Sequence, residues 1–246
     1  MNAMNQKRMP IIIIILGMAI PTVITWIYFD LLASAPAIAQ KSAYALGKLS
    51  QVGIMLVAFW IWRQRQKEPK DKQSIFGKPI CMRSIAGGLV SGLAMACLAI
   101  LVVQWILMPL GVMESAKLAA KEKLQSLGAD SPAILFTVAA FYVLLHSGFE
   151  EFYWRGFVFR GWNEHLGVAI SILLSSLGFM SHHVIVLGKF FGYGSIMTYL
   201  LSLSVALGGA IWAFTYYRCG NLIPGWISHA LVDAGIFFIG YQLVFS

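Results

Sequence analysis

From Ser131 to Phe159 the chain reads SPAILFTVAAFYVLLHSGFEEFYWRGFVF, and the reading of this stretch decides the fold. It is apolar for long enough to cross a bilayer core, which takes about 20 residues of helix. It also carries His146, Glu150, Glu151 and Arg155. If the helix ended at Phe149, Glu150 would lie at a membrane rim; if it runs on to about Phe159, Glu150 lies inside the bundle. The continuous helix is adopted, because a site that joins Glu150 to histidines deep in other apolar runs requires it. Those histidines are His182 and His183 in the next run and His229, followed by Asp233, in the last. Ionisable groups at mid-bilayer cost about 2.5–3.5 kcal/mol on insertion scales, so they pair with one another or line a wet, functional cavity.

The rest of the chain supports a membrane setting. Its 246 residues are 59% hydrophobic and 11% charged, with a mean hydropathy of +0.76. A soluble domain is about half apolar and a quarter charged. Further apolar runs cover Pro10–Tyr28, Ala43–Trp62, about Ser84–Leu110 and about Gly194–Tyr217. The prediction is an all-α, polytopic transmembrane helical bundle of seven spans, or eight if Gly192–Ser202 forms a separate half-span. Ala37-Ile38-Ala39-Gln40 resembles a signal-peptidase site, but the run before it is long for a secretory segment, so it is read as part of an uncleaved helix. Gly88 and Gly92, four apart, mark a helix-packing face.

The net charge of +8 does not point to nucleic acid, because the basic residues sit between the hydrophobic runs, where the positive-inside rule expects them. The segment Arg63–Arg83 is the richest in Lys and Arg and is expected to be cytoplasmic, together with the N-terminus. Met113–Asp130, polar and nearly balanced in charge, is expected to form a surface helix on the other side. Cys81, Cys97 and Cys219 are too few and too scattered for a disulfide framework or a cysteine-based zinc site. Residues 1–130 read as scaffold helices and 131–246 as the functional half.

Within that half, spacing separates the roles. Positions four apart share a helix face, whereas adjacent positions diverge by about 100°. Glu151 and Arg155 therefore form a neutralising pair, while Glu150 points elsewhere, towards the face of His146. Phe179 can wall His183, and Asp233 can accept from one imidazole nitrogen of His229 and fix its tautomer. His146, His165 and His182 read as satisfied or interfacial histidines.

Glu150–Arg155 fits EExxxR, Phe179–His183 fits FxxxH and His229–Asp233 fits HxxxN/D. In this order, inside apolar runs, they resemble the CPBP family of intramembrane proteases, which includes the CAAX prenyl endopeptidases and the Abi-like bacterial proteins. The resemblance covers roughly Ser131–Tyr241. It implies a bundle with a cavity open to the cytoplasmic leaflet, where a peptide bond in a membrane-anchored protein is hydrolysed. By motif, Glu150 is the general base, His183 positions the water, and His229 with Asp233 stabilises the oxyanion. Glu151 and Arg155 fix the helix. An ionised aspartate cannot donate to an oxyanion, so Asp233 is expected to orient His229 instead.

Alternatives stay open at this level. Glu150, His183 and His229 could instead hold zinc and leave a position for water, although no HExxH occurs and no cofactor is favoured. Buried Glu, His and Asp could also serve a proton-coupled transporter, but no motif recurs as an internal repeat would require. A non-catalytic immunity or sorting factor is the remaining reading. A rhomboid-type serine mechanism is disfavoured, since Gly192-Tyr193-Gly194-Ser195 lacks the GxSG order. The chain reads as a multi-pass protein of a prokaryotic cytoplasmic membrane, so the tail of a membrane-anchored protein is a better candidate substrate than a prenylated CaaX protein.

Overall fold

The computed structural model describes residues 8–65, 78–126 and 131–245, and its regular structure there is helical. In chain order the helices are α1 (Ile11–Leu31), α2 (Ala37–Arg65), α3 (Met82–Leu107), α4 (Glu114–Ser126), α5 (Pro132–Asn163), α6 (Val168–Phe191), α7 (Ile196–Cys219) and α8 (Ile223–Phe245). Among the described residues, six of these are long and apolar enough to cross a membrane. The protein is an integral, multi-pass helical bundle.

The count of six corrects the expectation of seven or eight spans in two places. The run Ala43–Trp62 does form a helix, α2, but it is not among the six. The half-span expected at Gly192–Ser202 is absent, because residues 196–219 form one helix. Gly192 instead closes α6 with a positive φ of 86°, and its carbonyl accepts from Thr198 Oγ1 at 2.7 Å.

α5 runs unbroken past Glu150 to Asn163. Pro132 suits its first turn, where an N–H would be unpaired in any case. Two stretches, Tyr142–His146 and Phe152–Phe159, are π-helical. Such widened turns are uncommon and concentrate at functional sites, and these two bracket Glu150 and Glu151.

Leu98 and Trp105 of α3, Leu144 and Phe149 of α5 and Phe214 of α7 are exposed, while Ser147, Glu151, Arg155, Thr198, Ser202 and His229 are buried. Apolar residues outside and polar residues inside invert the soluble pattern and suit lipid as the outer solvent. α3 and α8 pack along their length and run in the same direction. A Cβ on Gly88 would strike the backbone of Pro224, one on Gly92 would lie 2.8 Å from Ser228 Cα, and Gly235 lies against Ala96. The expected packing role of Gly88 and Gly92 is thus met by direct contact of backbones.

The turn from α7 to α8 follows from its sequence. Gly220 takes the left-handed conformation (φ 64°) that ends α7, and Asn221 Oδ1 accepts from the Ile223 N–H at 2.8 Å to start α8. The same turn holds the chain before α3, since Lys78 N–H donates to the Gly220 carbonyl at 2.7 Å. The starts of α3 and α8 therefore share one face with the end of the basic segment. Residues 66–77 of that segment, and the first seven of the chain, lie outside the described residues. The polar segment after α3 is helical as α4 and packs on α6 and α8 through a side that includes buried Met113 and Ala116.

Candidate active site

α5 delivers adjacent glutamates to different surroundings. The Glu151 carboxylate is sealed: its Oε1 lies 2.8 Å from Arg155 Nη1, with the two side chains 1% and 2% exposed. The same oxygen accepts from His229 Nδ1 at 2.9 Å across the bundle. Arg155 in turn donates through Nη2 to the Gly209 carbonyl at 3.1 Å, and its guanidinium lies over the rings of Phe179 and Trp212. A buried arginine without these partners would be costly; here three helices supply them.

Glu150 lies on the open side. Its Oε1 is 3.3 Å from His146 Nε2 and 3.6 Å from His182 Nε2, while its Oε2 is 3.6 Å from His229 Nε2. The two oxygens thus face different groups, one held between two imidazoles and the other turned to a third. Exposure rises outward from His229 at 4% through Glu150 at 13% to His146 at 19% and Asp233 at 22%. The His146–Asp233 edge is the less buried side of the site.

Hydrogen bonds assign two tautomers. A carbonyl only accepts, so the 2.9 Å contact of His183 Nδ1 with the Phe179 carbonyl puts the proton on Nδ1 and leaves Nε2 as an acceptor. The Phe179 ring stands edge-on to the same imidazole, centroids 4.8 Å apart. His229 donates its Nδ1–H to Glu151, so its Nε2 is the atom presented to Glu150. Asp233 was expected to orient His229, and the geometry corrects this: Asp233 Oδ1 stands 3.7 Å from Nε2, too far for a hydrogen bond. The residue that fixes His229 is Glu151, reached across helices rather than one turn along α8.

His146 and His182, read as satisfied or interfacial histidines, both lie beside Glu150. His182 stacks on Trp154, the planes 7° apart, and its buried Nδ1 finds no hydrogen-bond partner among the described residues. The proton then belongs on Nε2, where it faces a carboxylate. His146 was legible as the i, i+4 neighbour of Glu150. His182 was not, because only the rotation of α6 within the bundle decides which of two adjacent histidines turns inward. His165 keeps its structural reading: its Nε2 meets the Met9 carbonyl at 2.7 Å.

Glu150, His183 and His229 were also weighed as zinc ligands. Among the described residues no three His, Cys, Asp or Glu side chains are grouped so as to hold a metal ion.

Fold and site together define a class: a multi-pass helical membrane protein with a glutamate–histidine centre built inside its helices. Residues 132–235 match the family model described as type II CAAX prenyl endopeptidase, Rce1-like. Over that part of its length the chain is similar to the CAAX prenyl endopeptidase family. Neither the curated proteins nor the solved structures compared with the chain give a match.

Proposed function

We propose that the protein is an intramembrane endopeptidase in which Glu150 acts directly on water. Glu150 takes a proton from a water molecule as its oxygen attacks the scissile carbonyl carbon. The C–N bond then breaks, and the proton passes from Glu150 to the leaving amine. His183, with Nε2 as an acceptor, orients the water. His229 faces the carbonyl oxygen and, when Nε2 carries a proton, donates to the developing oxyanion. Glu151 and Arg155 hold the helix and the imidazole, and Asp233 lines the open edge.

The observation that carries this reading is the contrast between the two glutamates. Glu151 has a charged partner and a buried hydrogen bond, while Glu150 is less buried, lies beside His146 and His182, and turns one oxygen towards His229. A general base must be within reach of the proton it takes, and separations of this size commonly tighten when substrate binds.

The substrate class is the tail of a membrane-anchored protein, and the face shared by Lys78 and the starts of α3 and α8 is the cytoplasmic one. Mass spectrometry of membrane-protein termini tests the function. Cells with wild-type protein should contain truncated tails that are absent with Glu150→Gln; identical sets of termini would reject it. A cysteine at Arg83 in a cysteine-free chain should resist impermeant reagents in intact cells, and labelling from outside would reverse the orientation.

A further inference from the structure

His229 is held at Nδ1 by one hydrogen bond, which fixes a direction but leaves the ring free to tilt about it. The plane is set by another residue. The indole of Trp212, buried in α7, lies parallel to the imidazole, with centroids 4.0 Å apart and 15° between planes. We propose that Trp212 is a positioning residue for His229, holding the ring so that Nε2 stays aimed at Glu150 and the reacting carbonyl. The proposal rests on the catalytic reading above for its functional consequence, but its structural content can be tested separately.

The indole is itself fixed at its far end. Its Nε1–H donates to Ser228 Oγ at 3.0 Å, and Ser228 immediately precedes His229 on α8. The Ser228 hydroxyl is also hydrogen-bonded to that of Ser91 on α3, 3.0 Å away. Ser91 comes that close because Gly92 lets the α3 backbone approach Ser228. Buried indole N–H groups find partners because leaving them unpaired is costly. Here the partner adjoins the histidine being held, so α3, α7 and α8 converge on one ring. The other contact of the indole, the Arg155 guanidinium 5.1 Å from its ring, links it to the group that anchors Glu151.

The test uses the full chain in phospholipid nanodiscs, with ¹⁵N-labelled histidine and an internally quenched peptide joined to an apolar membrane-anchoring helix. Trp212→Leu removes stack and hydrogen bond, Trp212→Phe keeps a ring, and Ser91→Ala loosens only the serine link. The expected result for Trp212→Leu is a kcat about 10-fold or more lower, with KM within about twofold, because misaiming an orienting group costs turnover rather than binding. The His229 ¹⁵N signals should move from a single Nδ1–H pattern towards a mixture, and Trp212→Phe should recover most of both. If Trp212→Leu is too unstable to purify, Ser91→Ala should show the same changes at smaller size. Unaltered His229 signals in Trp212→Leu, or in Ser91→Ala where Trp212→Leu cannot be purified, would overturn the proposal whatever the turnover. A Glu150→Gln protein that still cleaves would instead reject the catalytic reading, and the NMR result would still decide whether Trp212 sets the ring.

Discussion

Glu151 is buried with Arg155 and His229, whereas Glu150, one residue earlier, faces His146, His182 and the less buried edge beside Asp233. The two differ by one helical step of about 100°. That rotation separates a carboxylate paired with Arg155 and His229 from one whose second oxygen is turned to an imidazole it does not bond. In a bundle surrounded by lipid, a charge is kept either by neutralising it or by giving it chemistry to perform. Adjacent positions on α5 do one each.

Removing one partner of the sealed pair should have the largest effect on stability. Arg155→Leu leaves Glu151 buried against a lone histidine and should lower stability by about 3–5 kcal/mol, read as a fall in the thermal midpoint in detergent. Glu151→Leu with Arg155→Leu should recover much of that stability without recovering turnover, since His229 still loses its anchor. Full activity in the double variant would show that His229 needs no fixing from this side.

Next in size is the seam between α3 and α8. Gly92→Val sets a branched side chain against Ser228 and should cost about 1–3 kcal/mol as overpacking, with a loss of turnover out of proportion to the loss of stability because the shift falls next to His229. Wild-type turnover in a measurably destabilised Gly92→Val protein would detach the seam from the site.

On the open side the effects should be kinetic. His146→Ala removes a neighbour of Glu150 Oε1 and should slow cleavage about 10-fold with little change in thermal midpoint. A large drop in midpoint with normal turnover would return His146 to a structural role. The smallest change is expected on metal removal: protein stripped with chelator should keep its turnover, and loss restored by zinc alone would replace the water-activating glutamate with a metal-bound hydroxide.

The comparison also explains what the sequence could and could not convey. The Glu151–Arg155 pair lies four residues apart on one helix, so spacing alone reveals it. The Glu151–His229 bond joins positions 78 residues apart, and no periodicity encodes it; Asp233, the local neighbour, was the natural but mistaken partner. His182 was hidden for the same reason, since a helical wheel shows that it diverges from His183 but not which of them turns inward. Trp212 left no signal in an apolar run, because its meaning depends on a serine beside His229 and another on α3. The six spans were legible from hydropathy.

The central claim is that Glu150, not Glu151, performs the chemistry. The direct measurement is turnover by purified, folded Glu150→Gln protein in nanodiscs, compared with wild type at equal thermal midpoint. The substitution keeps the shape and removes the base, so cleavage should fall by about 100-fold or more while unfolding is unchanged. Turnover near wild type in that protein would contradict the account.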